Sequence, residues 1–401
     1  MNLLLFDDHR HENLKPLTWT RPVCELRCGI LTLREKWEKR FSTTASFLTS
    51  HYLSSKYVCK TGDANLLING GALPTDEILQ QIKELKIGQI LLESNSTVVA
   101  AFISAEMLNE LKKDFLPEKM IYLAGKLEQF FVKKDVDFLT TFPDIFAKNE
   151  QELEKDFELI TKGRTSAQLD NTNTVLGNRI FVEEGAVVQC ATINAKTGPV
   201  YIGKHSEIME GALIRGPFAL CDGAVLKLGA KIYGATTIGP ECRVGGEVNN
   251  SVLLGYSNKG HDGFLGNSVL GEWCNLGADT NTSNLKNNYG EVKIWNYPAA
   301  TFVNSGRQFV GLCMGDHSRC GINTMFNTGT AAGVFSNIFG SGFPPKYIPS
   351  FGWGNGPFDT YDLQKAIEVA RSVMARRSVT LKPEDEEILT AVFIQSAQFR
   401  N

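Results

Sequence analysis

The sequence predicts an α/β domain over residues 1–165, a parallel β-helix over 166–341, and a loop with a helical tail over 342–401. Three observations predict it. Aliphatic residues recur every six positions through the middle of the chain. Short apolar runs alternate with helical patterns before that stretch, and two amphipathic helical patterns follow it.

In the first region, Leu3-Leu4-Leu5-Phe6 reads as a buried strand and Leu31 to Phe41 as a helix. A strand from Asn65 to Ile68 runs into Asn69-Gly70-Gly71. A helix follows at Asp76 to Leu85, then strands at Gln89–Leu92 and Val98–Phe102. Strands alternating with helices predict a layered α/β domain. The charged segment 144–163 reads as a helical connector.

The repeat comes next. Ile202, Ile208, Ile214, Leu220, Leu226, Ile232, Ile238 and Val244 keep a strict period of six. Val175, Phe181, Val187 and Ile193 extend it upstream across a slip at 195–199; Phe264, Leu270, Leu276 and Thr282 extend it downstream. On an α-helix six residues advance about 600°, so these positions would spiral rather than form a stripe. A strand plus a turn forms one side of a coil, with one aliphatic per side pointing to the axis. Stacked coils then bury a continuous column. Gly203, Gly239, Gly245, Gly271 and Gly277 directly follow the aliphatic position, where glycine eases a corner. The break from Asn284 to Lys293 reads as a protruding loop. After a Gly/Pro/aromatic stretch at 342–357, one helix face carries Leu363, Ile367, Ala370, Val373 and Met374. A second carries Ile388, Leu389, Val392 and Phe393.

Bulk properties narrow the function. The net charge of −3 gives no basic field for nucleic acid or an anionic membrane. No stretch reaches the roughly 18 apolar residues of a membrane span, and the apolar run at the N-terminus is too short for a signal peptide. The nine cysteines are scattered without a Cys-x-x-Cys pair, as in a reduced, cytoplasmic protein.

The segment from Glu247 to Leu285 holds Gly260-His261-Asp262-Gly263-Phe264-Leu265-Gly266 and Asn275-Leu276-Gly277-Ala278. It resembles the acetyltransferase core of the bifunctional N-acetylglucosamine-1-phosphate uridylyltransferase/glucosamine-1-phosphate acetyltransferase family. Over most of the chain, with the run Leu14 to Ile30, the resemblance is to the variant form of this family in Bacteroidetes-like bacteria, sugar nucleotidyltransferases with a hexapeptide-repeat β-helix. It implies a left-handed β-helix, acetyl-CoA as co-substrate, Mg²⁺ for nucleotidyl transfer, sugar phosphate and nucleoside triphosphate as partners, a homotrimer, and a place in nucleotide-sugar synthesis for cell-wall precursors.

Acyl transfer from a thioester to an amine needs a base near neutrality, because the amine sheds a proton as it attacks. His261 suits this role and should face outward, because the repeat is interrupted around it. By resemblance, Asn275 and Asn284 hold the sugar and align the base. Lys231 stands where the family has an arginine on the sugar phosphate, and Lys293 is a second candidate for that role. The family's aromatic hydroxyl is absent at Phe264, and a family lysine is replaced by Asn249. Ala278, Gly311 and Ala332 are small residues on later coils that either line a coenzyme A groove or fill corners.

Leu14-Lys15-Pro16-Leu17-Thr18 and Thr20-Arg21-Pro22 resemble the start of sugar-nucleotide pyrophosphorylases, but 7–13 holds no glycine-rich loop and Gly70-Gly71 stands where a metal-binding Gly-Asp pair is expected. Arg10, Lys15 and Arg21 are the candidate phosphate ligands. Asp7, Asp8 and Asp76 are candidate metal carboxylates. Three readings stay open: a bifunctional nucleotidyl- and acetyltransferase, an acyltransferase with a degenerate N-terminal domain, and a non-catalytic trimeric scaffold.

Overall fold

The computed structural model describes residues 2–93, 97–113, 115–117 and 119–400. Leu3, Leu4, Leu5 and Phe6 have almost no solvent-accessible surface, because their strand, Asn2–Phe6, is central in a six-stranded sheet. The spatial order is Ala45–Leu48, Asn2–Phe6, Ala64–Asn69, Val98–Ser104, Gln89–Leu92 and Glu128–Phe131. Only Val98–Ser104 runs antiparallel to its neighbours. The helix Leu33–Phe41 starts two residues after the expected Leu31, because Thr32 and Glu35 form a reciprocal capping box there.

The middle of the chain is a three-sided parallel β-solenoid, with the helical tail packed on it. Its first face runs from Thr174–Leu176 through Lys231–Tyr233 and Glu247–Asn249 to Phe264–Gly266. The second runs from Ile180–Val182 to Tyr347–Ile348, and the third from Val187–Val188 to Gly352–Gly354. The ladders therefore continue past the expected limit at 341. The strict six-residue column from Ile202 to Val244 lies inside.

At both ends the register differs from the sequence expectation. Val182 and Val188, not Phe181 and Val187, align with Ile202 and Ile208; Leu265, not Phe264, aligns with Val248. Corners hold varying numbers of residues, so a period carried across them drifts. The glycines after the column residues also act differently from expectation. Gly203, Gly239, Gly245, Gly271 and Gly277 do not take positive φ; a side chain at any of them would press on the next coil. Positive φ falls instead to other corner residues, among them Gly223 and Gly246 but also the bulky Tyr256, Trp273, His317, Phe335 and Phe351. The bulky five lie on one edge. These stack into a ladder, with Tyr256 and Trp273 centroids 4.2 Å apart and His317 and Phe335 4.6 Å apart.

The three regions interlock. Val252, Leu254, Val269 and Cys313 of the second face share one core with Leu3, Leu26 and Ile68. The 144–163 segment forms helices Phe142–Ala147 and Asn149–Thr161, and it is more than a connector. Asn149 donates to the Ala235 carbonyl at 2.8 Å and accepts from Gly29 N at 2.7 Å. Fully buried Lys36 meets Glu152 and Asp156 at 2.8 and 2.6 Å. The tail helices, Leu363–Ala375 and Pro383–Gln395, bury Ile367, Ala370, Met374, Ile388, Leu389 and Val392 against the aromatic corner. The expected protruding loop continues into a hairpin, Lys293–Asn296 with Thr301–Asn304, and its Ile294 joins the N-terminal core.

Candidate active site

His261 lies at the corner where the chain passes from the third face, at Asn258–Lys259, to the first, at Phe264–Gly266. The side chain is exposed, as expected, and among the described residues its ring nitrogens have no hydrogen-bond partner. Its carbonyl is fixed from below. Lys259 takes the inward position of its coil, paired with Val244, and is 2% exposed. Its ammonium donates to the carbonyls of His261 at 2.6 Å and Gly245 at 2.9 Å. Burial pushes Lys259 down to about 8, against weaker opposing pulls from Asp262 and Asp279. Sequence reasoning missed this lysine, although counting six from Leu253 lands on it.

The first face beside His261 is polar. Lys231, Glu247 and Phe264 form one outward ladder; Tyr233, Asn249 and Gly266 form the next. Lys231 is exposed and has no ion pair among the described residues. The Tyr233 hydroxyl donates to Glu247 at 2.5 Å, so a phenol is present on this face although position 264 lacks one. Asn284 closes the upper edge. A side chain at Gly266 would meet its amide, and that amide donates to Asn267 Oδ1 at 2.8 Å. His261 thus stands at one edge of this face, Lys231 on the face itself, and Asn284 at the opposite edge beside Asn267.

Other candidates fall elsewhere. Asn275 points outward on the third face, between Asn258 and Arg319, and does not align the His261 ring. Lys293 sits in the hairpin beside Lys346, whose ammonium donates to its carbonyl at 3.2 Å. Ala278 is half-buried at a corner. Ala332 is fully buried in the inner column, paired with Met314, and Gly311 is packed against Gly266 and Ser268. Neither offers surface to coenzyme A, because each is covered by the adjacent coil.

At the carboxyl ends of the N-terminal strands, the candidate phosphate ligands are engaged internally. Arg10 pairs with Asp8 and lies 3.8 Å over the Phe138 ring. Lys15 meets Glu12 at 2.6 Å and lies 3.6 Å over Trp19. Arg21 reaches the solenoid, where it pairs with Asp316 and, at 3.0 Å, with Glu272. Its pairing residues lie about 250 and 295 positions away, which no local pattern reveals. Burial opposes its charge, but Asp316 and Glu272 hold it above the usual arginine range.

These residues do not fit a Mg²⁺ site. Asp7 accepts from Val23 N and the Thr49 hydroxyl, and burial raises its pKa. Asp8 accepts from the Arg10 amide at 2.9 Å and Asn69 at 2.8 Å besides its ion pair. Asp76 is exposed at a helix start. A side chain on Gly71 would crowd Arg10 Cδ at 3.2 Å. Among the described residues no three His, Cys, Asp or Glu side chains converge as metal ligands, and no helix is long and apolar enough to cross a membrane.

A family model described as sugar nucleotidyl transferase matches residues 3–165. A bifunctional sugar-1-phosphate nucleotidylyltransferase/acetyltransferase of Sulfurisphaera tokodaii is 32% identical over 174 residues, 43% of this chain and 42% of that protein. The bifunctional protein GlmU of Synechococcus elongatus is 31% identical over 130 residues, 30% of this chain and 28% of that one. The chain thus spans under half the length of these relatives. Among solved structures, a UDP-N-acetylglucosamine acyltransferase of Arabidopsis aligns at 12% identity and a TM-score of 0.24, over 58% of this chain and 93% of that one. That of Francisella novicida aligns at 10% identity and a TM-score of 0.27, over 59% and 87%. The N-terminal 165 residues are therefore similar to sugar nucleotidyl transferases, and they are followed by a parallel β-solenoid with a helical tail.

Proposed function

We propose that this protein is a sugar-1-phosphate nucleotidyltransferase and amino-sugar N-acetyltransferase acting in nucleotide-sugar synthesis. The observation that carries the acetyl half is the outward His261, with free ring nitrogens, at the edge of a face bearing Lys231, Tyr233, Glu247 and Asn284. Lys231 meets the sugar phosphate as an unpaired cation, and Asn284 offers an amide to hydroxyls. As the sugar amine attacks the thioester carbonyl of acetyl-CoA, His261 takes the proton the nitrogen sheds. The N–C bond forms, the C–S bond breaks, and the leaving thiolate takes up the proton that His261 holds, so coenzyme A departs as the thiol and His261 returns to its neutral form. The first face also exposes Leu213 at 51%, in the outward ladder beside Lys231. A cyclic homotrimer with this face at the contact belongs to the same reading, because closed assembly buries a face that a solenoid leaves open.

The nucleotidyl half rests on the family match of residues 3–165. One observation favours a second reading, an acyltransferase with a structural N-terminal domain: Arg10, Lys15 and Arg21 are all paired with carboxylates of the chain itself.

Incubation of the pure protein with glucosamine-1-phosphate, acetyl-CoA, UTP and Mg²⁺, with products identified by mass, tests both halves. The acetylated sugar phosphate should form, and His261→Ala should slow it by about 10²–10⁴ without unfolding the chain. Near-full activity in that variant refutes the acetyl assignment. Absence of pyrophosphate release across a screen of nucleotides and sugar phosphates leaves the second reading.

A further inference from the structure

A cavity of about 310 Å³ on the third face is lined by Arg243, Arg319, Arg376 and Arg377, with Asn258, Asn275, Tyr256, Trp273 and Val373. Arg243, Asn258, Asn275 and Arg319 come from successive strands of one ladder. The two arginines are therefore about 14 Å apart along the solenoid, three strand spacings, with two amides between them. Arg376 and Arg377 enter from the end of the tail helix Leu363–Ala375.

The cations outnumber their counter-charges. The carboxylate beside them is Glu241, 3.6 Å from Arg377. Arg243, Arg319 and Arg376 have no ion pair among the described residues, and neither tyrosine nor tryptophan in the wall can neutralise them. Burial pulls Arg319 below the usual arginine range; it does the same to Arg377, where Arg243 adds repulsion. Arg377 Nη2 donates to Asn258 Oδ1 at 3.0 Å, and the Asn258 amide faces Asn275 Oδ1 at 3.5 Å. Among the described residues, the amide N–H groups of Asn275 are donors without an acceptor. Arg376 and Arg377 suit the negative end of their helix. Arg243 and Arg319 stand on the solenoid, where no helix dipole calls for them.

We infer that this cavity is a binding site for a phosphate-bearing ligand, most simply a diphosphate, held by the guanidinium groups of Arg243, Arg319, Arg376 and Arg377 and the Asn275 amide. Forked guanidinium donors match phosphate oxygens in pairs, and the partly enclosed wall strengthens each contact relative to open water. The diphosphate of a nucleotide-type co-substrate and a sugar phosphate share this chemistry. The assignment stands on the cavity and does not depend on acetyl transfer.

Calorimetric titration of the full chain with inorganic pyrophosphate tests it, with Trp273 in the cavity wall as a fluorescence reporter. Binding should occur and should weaken steeply with added salt. Arg319→Gln and Arg376→Gln should each weaken it about tenfold or more, the loss of a charge-assisted contact, while Lys113→Gln, at the end of the N-terminal-domain helix Ala105–Lys112 and outside the cavity lining, leaves it unchanged. Arg376 is exposed, so its variant keeps the test valid if Arg319→Gln fails to fold. Competition by coenzyme A or by glucosamine-1-phosphate then identifies the source of the phosphate. Absence of pyrophosphate, coenzyme A and sugar-phosphate binding, or binding undiminished in both variants, overturns the site. Because His261→Ala reads acetyl transfer alone, the two proposals fail separately.

Discussion

Replacing Arg21 by Met should loosen the junction between the N-terminal domain and the solenoid. The side chain is 6% exposed and its partner Asp316 5%. Asp316 also accepts from the Thr20 hydroxyl at 2.7 Å and from Glu272 N at 2.9 Å, so without Arg21 it keeps two neutral donors but no positive charge. Breaking a buried pair by removing one partner typically destabilises by about 3–5 kcal/mol, because a desolvated charge is left behind. Methionine keeps most of the volume, so the packing contribution is small and the charge dominates. If that is the cause, adding Asp316→Asn should restore most of the loss, since a neutral amide carries far less desolvation penalty. Urea denaturation of the wild type, the single variant and the double variant measures both steps. Hydrogen exchange should show the new opening at 17–31 and around Asp316, while the column at 202–244 stays protected. A loss under about 1 kcal/mol in Arg21→Met, or a double variant worse than the single one, refutes the clamp. The sequence reading of Arg21 as a nucleotide ligand predicts instead that its loss abolishes pyrophosphate release and leaves acetyl transfer unaffected.

Two further outcomes follow from buried bases. Burial pushes His317 down to about 3, with Arg319 adding to the effect. The unfolded chain then takes up a proton on its histidine, near the ordinary 6.5, before the folded state does. Wild-type stability attributable to His317 should be complete above pH 6.5 and lost progressively toward pH 3, by about 1.4 kcal/mol per pH unit. His317→Phe should keep the aromatic stack and remove that slope; parallel acid-denaturation curves would contradict it. Lys259, held at about 8 by burial, behaves as a base that sheds its proton more readily in the folded state than in the unfolded chain, where it keeps about 10.5. Wild type should therefore gain stability relative to Lys259→Met as pH rises from about 8 to 10.5. That variant should also slow acetyl transfer about tenfold by freeing the 260–263 corner. A pH-independent stability gap, checked by denaturant midpoints, would mean that the ammonium is not buried as described.

The solenoid was legible because its signal is local. Between Ile202 and Val244 every corner has the same length, so counting by six finds the column. Where corners lengthen or shorten, the count slips by one, and Phe181, Val187 and Phe264 were read as inward when their neighbours are. His261 could be placed outside the column from the glycines around it. Asn275 could not be assigned to the opposite side of the corner without the register that fixes Leu276 as inward. Ala332 was read as groove-lining because small residues occur both inside and at corners; only its pairing with Met314 separates the two. The ion pairs of Arg21 and Lys36 join residues more than a hundred positions apart. Charge type was visible in sequence, but the partner was not.

The way the chain clasps its own solenoid decides where chemistry can occur. The N-terminal domain covers the outward side of the second face, through Val252, Val269 and Cys313 in one core and Tyr201, Ala219 and Phe181 in another. The tail covers the aromatic corner between the second and third faces. What remains is the first face and the part of the third face that holds the arginine cavity. These two surfaces share one edge of the solenoid, and the corner 260–263 on that edge carries His261. Asn258, in the cavity wall, lies three residues before the histidine on the same coil, while Phe264 opens the first face three residues after it. A phosphate-bearing donor seated on the third face and an amino sugar on the first would therefore approach the same edge from opposite sides. Direct transfer requires the donor thioester, the acceptor nitrogen and the base to meet, because attack demands contact between the reacting atoms. Lys259 fixes the carbonyl of that corner from inside the solenoid, where no ligand reaches it. The corner can then stay positioned whether or not either face is occupied.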